Sequence, residues 1–378
     1  MNKARNARIS TMVRRIGILL IIGAWLAQRQ ALAVGTWTNV VAHPPDNNGV
    51  QLLLLLSDGT VMAQRADPAN NSWYRLAPDP YGSYVNGSWS NMASMHYPRL
   101  FYSSAVLRDG RVLVAGGELP KYPAPSGSTA EVYDPRNNGW TEISVPPGLI
   151  CTNCTSPAFS DSGCVVLANG NVMIAPVQPA IWNNTVLFDP ATDSFSRGPS
   201  SLQWQNEATW VKLPDDSILT IDPTRSDTLL NTSERYIPAL NIWIQDAQLK
   251  APMYNAAQEI GPGLLLPDGR AFFIGGMGHT ALYTPTGTTE PGTWTQGPDL
   301  PTGTGWDNPG AMMVNGKVLF MAGCTPWPGT STNYCYYEFD PTINYPTGAI
   351  TSAGSWGDID YGQHAHRMPN LPDGTGPV

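Results

Sequence analysis

Short apolar runs separated by tight polar turns recur along almost the whole chain. Each repeat consists of an apolar run, a polar turn and a second apolar run, at intervals of roughly fifty residues. The turns are Asp58-Gly59, Asp109-Gly110, Asn169-Gly170, Asp215-Asp216, Asp268-Gly269 and Asn315-Gly316, and Asp373-Gly374 begins a seventh repeat. Repeats of this length typically form four-stranded sheets arranged around an axis. The pattern therefore predicts an all-β propeller with one blade per repeat.

The second repeat illustrates the predicted blade. An inner strand over 103–107 leads into Asp109-Gly110, and a second strand over 111–115 ends at Gly116-Gly117. We expect a two-residue hairpin turn, which requires positive φ at its centre, a conformation that Asp, Asn and Gly tolerate. A third strand follows at 130–133, and Trp140 opens the outer strand.

Aromatic residues recur at matching points of the third and fourth strands. The pairs are Tyr133 with Trp140, Phe188 with Phe195, Tyr236 with Trp243, Tyr283 with Trp294, and Phe339 with Trp356. We expect them to fill the gap between adjacent blades, because large flat side chains suit a widening apolar space. Platforms for stacking carbohydrate are the alternative, but recurrence in blade after blade favours packing.

The double glycine after the second strand, together with the spaced Tyr and Trp, makes the chain resemble the kelch-repeat family. The glycines are Gly116-Gly117 and Gly275-Gly276, whereas Ala175-Pro176 and Asp222-Pro223 depart from the family pattern. The resemblance extends from about residue 35 to the end. It implies a kelch-type β-propeller, and the seven turns favour six complete four-stranded blades plus an incomplete seventh over six blades that close imperfectly. Because kelch propellers usually close with an N-terminal strand, the segment 35–38, with Trp37, is expected to complete the last blade.

The first 33 residues have the features of a secretory signal peptide. A basic head precedes the apolar stretch 16–27, and Ala31-Leu32-Ala33 offers a cleavage site. Twelve apolar residues are short for a membrane span, although an uncleaved anchor is the alternative. We therefore expect a secreted or periplasmic bacterial protein, with one propeller domain over 34–378 and no stable membrane insertion after cleavage.

Removal of the leader makes the chain strongly acidic. The leader carries 6 of the 21 basic residues and no acidic ones, so 15 basic residues remain against 29 acidic ones, a formal net charge of −14. This charge disfavours nucleic acid and anionic lipid as partners. Carbohydrate or protein ligands, particularly basic protein surfaces, remain compatible with it. We expect a monomer.

All five cysteines follow residue 150. Cys324 and Cys335 flank the loop of one hairpin, and we expect a disulfide between them because disulfides persist in exported proteins. Cys151 and Cys154 fit a local disulfide, or alternatively a redox or metal motif, with Cys164 buried on a strand.

The repeat pattern is also similar to that of the copper-radical oxidases, galactose oxidase and glyoxal oxidase. The stretch from Arg99 to Ser104 resembles the strand of their cross-linked tyrosine, but Phe101 occupies the tyrosine position and Tyr102 falls on the opposite face. The preceding inner strand has no cysteine, and Tyr254-Asn255 stands where the family has Tyr-His. We therefore do not expect the copper-radical site.

Two groups of side chains are candidates for binding at the mouth of the channel. Asp161, Glu207 and Asp307 each lie eight residues before their turn, and Glu259 lies nine before. At the starts of inner strands, such carboxylates would form a ring suited to a hard cation such as calcium. The alternative is that they bind channel water and cap backbone groups.

The second group is His364 and His366, which alternate on one strand face and could bind a metal together with His96. Arg99, near the start of an inner strand, could bind an anion or a sugar carboxylate, although such arginines more often pair with nearby acids.

These observations favour a ligand- or protein-binding module, with carbohydrate as one ligand class. No nucleophile motif or phosphate loop stands out in the sequence. The alternative is an enzyme, either a diverged oxidase or an isomerase resembling the sialic-acid mutarotases. Glu207, Glu259, Arg99 and His364 are then the available acid–base groups.

Overall fold

A computed structural model describes most of the chain after residue 36. The described residues are 37–46, 48–66, 70–117, 129–146, 149, 162–176, 183–205, 207–222, 232–254, 259–301, 305, 307–324, 334–355 and 369–374. The chain divides into two compact units, residues 1–39 and residues 40–378, and all the described strands belong to the second unit.

Six antiparallel sheets of four strands each make up the second unit, and in each sheet the strands lie in chain order. Blade 1 contains β1 (Val50–Leu55), β2 (Val61–Arg65), β3 (Trp73–Ala77) and β4 (Ser88–Asn91). Blade 2 contains β5 (Ser103–Val106), β6 (Val112–Ala115), β7 (Ala130–Asp134) and β8 (Gly139–Ile143). Blade 3 contains β9 (Gly163–Val166), β10 (Val172–Ala175), β11 (Asn184–Asp189) and β12 (Ser194–Ser200).

The remaining blades repeat this order. Blade 4 contains β13 (Val211–Lys212), β14 (Ile218–Ile221), β15 (Ser233–Ile237) and β16 (Ile242–Gln245). Blade 5 contains β17 (Gly263–Leu265), β18 (Ala271–Ile274), β19 (Thr280–Thr284) and β20 (Thr293–Gln296). Blade 6 contains β21 (Gly310–Met312), β22 (Val318–Gly323), β23 (Tyr334–Asp340) and β24 (Ala349–Ser355). The prediction of an all-β propeller with six complete blades is confirmed.

The hairpin that joins the first two strands of a blade differs from the predicted turn. In blade 1 the Leu56 N–H donates to Thr60 O at 2.8 Å and the Gly59 N–H donates to Leu56 O at 3.0 Å. This pattern is a three-residue loop, in which a turn is followed by one left-handed residue. Gly59 has φ 81°, and no positive φ occurs at Asp58. The acidic residue instead accepts the Thr60 N–H at 2.9 Å, so the two-residue turn was a wrong prediction.

Apolar side chains from neighbouring blades form the core. Trp73 of blade 1 lies 5.8 Å from Trp140 of blade 2, and both pack with Tyr133 in one cluster. Phe272 of blade 5 stacks on Phe339 of blade 6 with ring centroids 3.8 Å apart. The predicted role of the aromatic pairs between blades is therefore confirmed where it can be seen; Trp356 lies outside the described residues.

The segment 369–374 lies against both the first and the last blade. Leu371 packs with core residues of blade 1, and the Tyr84 N–H donates to Asp373 Oδ2 at 3.2 Å. On the other side, the Asn370 side-chain amide donates to Met312 O of β21. The Gly374 N–H donates to Leu371 O at 2.9 Å, as in the other repeat turns. The expected N-terminal strand covers residues 35–38. Residues 37–40, which the structure describes, do not form a strand.

Candidate functional site

Three carboxylates from consecutive blades meet at one point. Glu207, Glu259 and Asp307 each offer an oxygen, and these three oxygens lie within 4.8 Å of one another. All three residues are half-buried. They precede their inner strands β13, β17 and β21 by four, four and three residues, so they lie on the crossover segments between blades rather than on the strands as expected. We call this group the carboxylate cluster.

Hydrogen bonds between the crossover segments hold the cluster together. The Asp307 N–H donates to Ile260 O at 3.1 Å, next to Glu259. Thr209 Oγ1 donates to Gly261 O at 2.8 Å, which joins the segment of Glu207 to that of Glu259. The backbones are so close here that a Cβ on Gly261 would collide with the carbonyl oxygen of Gly305. The carboxylates are therefore positioned by backbone contacts.

The left-handed backbone at two cluster residues is a feature of the blade. Glu207 has φ 49° and Asp307 has φ 55°. Phe101, at the same distance before its turn in blade 2, has φ 52°. Because an apolar residue adopts the same conformation, the backbone belongs to the propeller crossover and the chain varies only the side chain that it presents.

Several residues selected from the sequence lie outside the described part of the structure. They are Asp161, His364, His366, Cys151 and Cys154. Cys324 and Cys335 form the expected disulfide, with Cα atoms 5.3 Å apart. Cys164 is half-buried on β9, and its thiol donates to Ser104 O at 3.3 Å.

Arg99 is a framework residue and not a ligand group. Its side chain is fully buried, and it donates to Glu131 Oε1 at 3.0 Å, Gly116 O at 2.6 Å and Thr129 O at 3.1 Å. Glu131 on β7, equally buried, also accepts the N–H groups of His96 and Tyr97. The expectation that Arg99 binds an anion at the channel mouth is therefore wrong, because its guanidinium is enclosed inside the blade.

A second acidic group lies inside blade 4. The carboxyl groups of Asp222 and Glu234 are both buried and interact with each other electrostatically. Burial, followed by the neighbouring Asp222, raises the pKa of Glu234 to about 9. Burial also raises the pKa of Asp222.

Tyr254 interacts electrostatically with both acidic groups. Its hydroxyl donates to Ile221 O at 3.0 Å. Burial raises the pKa of Tyr254 well above its ordinary value, and the charges of Asp222, Glu207 and Glu234 raise it further. The acid pair of blade 4 and the carboxylate cluster are therefore electrostatic neighbours.

The residues of the copper-radical pattern make other contacts here. Tyr102 donates its hydroxyl hydrogen to Gln64 Oε1 at 2.7 Å, and Tyr254 is occupied with Ile221 as described. In the described part of the chain, no helix is long and apolar enough to cross a membrane.

The fold defines the class of protein: an all-β propeller of six four-stranded blades, with acidic groups on its crossover segments. Over 70 residues the chain is 42% identical to the F-box/kelch-repeat protein SKIP30 of Arabidopsis thaliana, which is 18% of this chain and 19% of that protein. The F-box/kelch-repeat protein At5g03020 of the same plant is 29% identical over 97 residues, 26% of this chain and 24% of that protein. These segments of the chain are therefore similar to kelch-repeat proteins, and they span at most about a quarter of these relatives' length. No protein-family model matches the chain.

Solved structures share the fold at low sequence identity. A fungal alcohol oxidase of the AA5 family, in complex with copper, has a TM-score of 0.59 at 15% identity, covering 86% of this chain and 68% of the oxidase. Virginiamycin B lyase from Staphylococcus aureus has a TM-score of 0.54 at 11% identity, covering 86% and 89% of the two chains. YjhT has a TM-score of 0.51 at 14% identity, covering 83% of this chain and all of YjhT. These similarities concern the fold alone.

Proposed function

We propose that the protein is an exported binding module whose ligand surface includes the crossover segments of blades 4 to 6. The observation that carries this proposal is the meeting of three carboxylates from three consecutive blades. Loops held by a rigid scaffold are the usual location of binding residues, and the segments here are fixed to one another by hydrogen bonds. A kelch propeller with an acidic mature chain suits a basic protein surface.

A divalent cation at the carboxylate cluster is a second candidate function, and we propose calcium as the ion. Oxygen atoms from several carboxylates are the ligands that calcium prefers. Two like charges about 5 Å apart repel by about 3 kcal/mol at an effective dielectric constant of 20. A cation bound between the carboxylates would attract both of them and offset this repulsion. The carboxyl group of Asp222 raises the pKa of Tyr254, as Glu207 of the cluster does, so it adds to the negative potential around Tyr254.

Thermal unfolding with and without calcium tests the ion. Calcium in tenfold excess over its dissociation constant would stabilise the folded protein by about 1.4 kcal/mol. The cluster variant E207Q/E259Q/D307N should lose this shift. The matched control removes three exposed carboxylates elsewhere, in the variant E142Q/E290Q/D299N. Identical unfolding midpoints of the wild type with and without millimolar calcium would remove the ion from the proposal.

The ligand class is tested separately with immobilised polylysine and a glycan array. Retention on polylysine that the cluster variant loses and the control variant keeps would support a cationic protein surface. Glycan signals that depend on the cluster would assign carbohydrate instead. Equal retention of the wild type and both variants, with no glycan signal, would contradict a binding role for this surface.

Export and ring closure belong to the same proposal. Mass spectrometry of the exported protein should give an N-terminus at Val34 after removal of the leader. We further propose that the turn at Asp373 belongs to a seventh, incomplete blade completed by the segment 35–38; its contacts with blade 1 and β21 support this position. Deletion of residues 34–39 should then lower the urea midpoint, and an unchanged midpoint would contradict closure.

A further inference from the structure

An arginine that follows the repeat turn joins each of two blades to the next blade. In blade 2, Arg111 Nη2 donates to Pro190 O of blade 3 at 2.6 Å. In blade 5, Arg270 Nη1 donates to Pro346 O of blade 6 at 2.5 Å and Nη2 donates to Pro341 O at 3.5 Å. The Nε of each arginine donates at 2.8 Å to the aspartate of its own turn. The same framework contact therefore recurs at two interfaces between blades.

The loops that the two arginines hold differ in length and in what covers the guanidinium. The loop between β11 and β12 of blade 3 has four residues, 190–193, whereas the loop between β23 and β24 of blade 6 has eight, 341–348. Arg111 binds the carboxylate of Asp193 at 2.9 Å. Arg270 instead lies beneath the ring of Tyr345, with its Cζ 4.8 Å from the ring centroid. Since Tyr345 is 71% exposed, its ring contributes little to the core, and the contact between the blades does not depend on it.

The loop that carries Tyr345 is held in place by hydrogen bonds. The Thr347 N–H at 3.1 Å and Thr347 Oγ1 at 2.8 Å both donate to Asn344 O. At the other end of the loop, the Thr342 N–H donates to an oxygen of the Asp340 carboxylate at 2.9 Å. The supporting guanidinium of Arg270 is itself buried. One face of the ring is therefore fixed on a cation while the side chain remains open to solvent, so a ligand would pay little to order it.

Polar groups accompany this ring. The carboxylate of Asp268, which binds Arg270, is 41% exposed, and Thr342 and Asn344 of the same loop are exposed. A flat apolar face beside hydrogen-bonding groups matches a pyranose, which has C–H groups on its ring faces and hydroxyl groups around its edge. The chain has 29 acidic residues against 21 basic ones, a balance that disfavours anionic sugars.

We propose that Tyr345, supported by Arg270, is a stacking platform for a neutral pyranose. The platform lies at the end of blade 6 opposite the carboxylate cluster. The antiparallel order of the strands places the turn after β21 and the loop after β23 at one end of the blade, and Asp307, which precedes β21, at the other. This is therefore a second ligand site, distinct from the one under Proposed function.

Saturation-transfer NMR tests the platform with three probes, the methyl β-glycosides of glucose, galactose and N-acetylglucosamine. Each is titrated to about 20 mM, well above the dissociation constant of about 1 mM expected for ligands of this size. We expect at least one probe to bind, with the strongest saturation on the protons of one face of its ring. Y345A should raise the dissociation constant of that probe about fivefold to tenfold, the value of one stacking contact, and Y345W should restore it.

Two controls separate this site from other surfaces. Tyr81, 95% exposed in the corresponding loop of blade 1, provides the matched variant Y81A, which should bind the probe as the wild type does. The cluster variant E207Q/E259Q/D307N should also bind it unchanged, so the platform is judged independently of the proposed function. Y345L, which keeps an apolar side chain without a ring, serves if Y345A does not fold. Absence of saturation with all three probes, equal affinity of the wild type and the ring-deleted variant, or an equal loss in Y81A would overturn the proposal.

Discussion

Glu131 and Glu234 occupy equivalent positions, yet their neutralisation should have opposite effects on stability. Glu131 forms a buried ion pair with Arg99, whereas Glu234 faces Asp222. In E131Q the guanidinium of Arg99 remains buried without its charge partner. In E234Q the amide removes the buried carboxyl charge, although only one of the two Glu234 oxygens that accept N–H groups from residues 202–205 remains an acceptor. We therefore expect E131Q to destabilise the protein and E234Q to stabilise it at neutral pH.

The expected magnitudes follow from the structure. Breaking a buried ion pair by removing one partner costs about 3–5 kcal/mol, which is the expected loss in E131Q. The pKa of Glu234 is raised from 4.5 in the unfolded chain to about 9 in the folded protein. A raised acid pKa stabilises the folded state below pH 4.5, and the stability falls by about 1.4 kcal/mol per pH unit up to pH 9. At pH 7 the folded protein has therefore lost about 3 kcal/mol of the stability that it has below pH 4.5. This loss is an upper value because the two carboxyl groups titrate together.

Urea unfolding followed by tryptophan fluorescence at pH 5, 7 and 8.5 measures both variants against the wild type. The advantage of E234Q over the wild type should be small at pH 5 and should grow with each step in pH. E131Q should be less stable than the wild type throughout. If E234Q is destabilised equally at all three pH values, or if both variants lose the same free energy, the raised pKa of Glu234 is refuted.

Further predictions concern framework residues. R99M should lose about 3–5 kcal/mol of unfolding free energy in urea, because Glu131 is left as an unpaired buried charge, and an unchanged urea midpoint would contradict the buried ion pair. D216G should gain about 1 kcal/mol, since Asp216 has φ 65° where the other repeat turns have glycine, and a lower urea midpoint would contradict strain at this turn. C335S should lose about 2–3 kcal/mol relative to the oxidised wild type, the loop-closure value for a separation of 11 residues, and no difference under non-reducing conditions would show that the bridge is dispensable.

The architecture could be predicted from the sequence because the same pattern of strands and turns recurs in six repeats. Each repeat carries its own turn, and blades 2 to 6 each carry an aromatic pair, so an error in one blade is corrected by the others. Turn geometry was predicted less well. Asp58 and Gly59 indicate a tight turn in either form, and only the hydrogen bonds from Leu56 to Thr60 and from Gly59 to Leu56 distinguish the three-residue loop.

The carboxylate cluster could also be predicted, because equal distances before successive turns place residues at equal positions around the axis. Glu207 and Asp307 share this distance, and Glu259 is one residue out of register yet reaches the same point. Arg99 was misjudged for the opposite reason. Its sequence position gives the end of the blade at which it lies but not the direction of its side chain, and the acceptor Glu131 lies 32 residues further along the chain.

The buried pair of blade 4 was missed although the sequence contained a signal. Asp222 was noted as a departure from the glycine position, but its meaning depends on Glu234, which hydropathy alone places as an ordinary strand residue. The comparison that reveals it is between blades: Arg99 and Gly116 change together to Gln205 and Asp222. Two residue changes between blades 2 and 4 therefore occur around a glutamate that both blades keep. Neutral variation of surface residues does not explain them, because all of these residues are in the interior. A repeat protein thus contains its own reference structure, and the positions where one blade departs from another in a correlated way are where a specialised role should be sought.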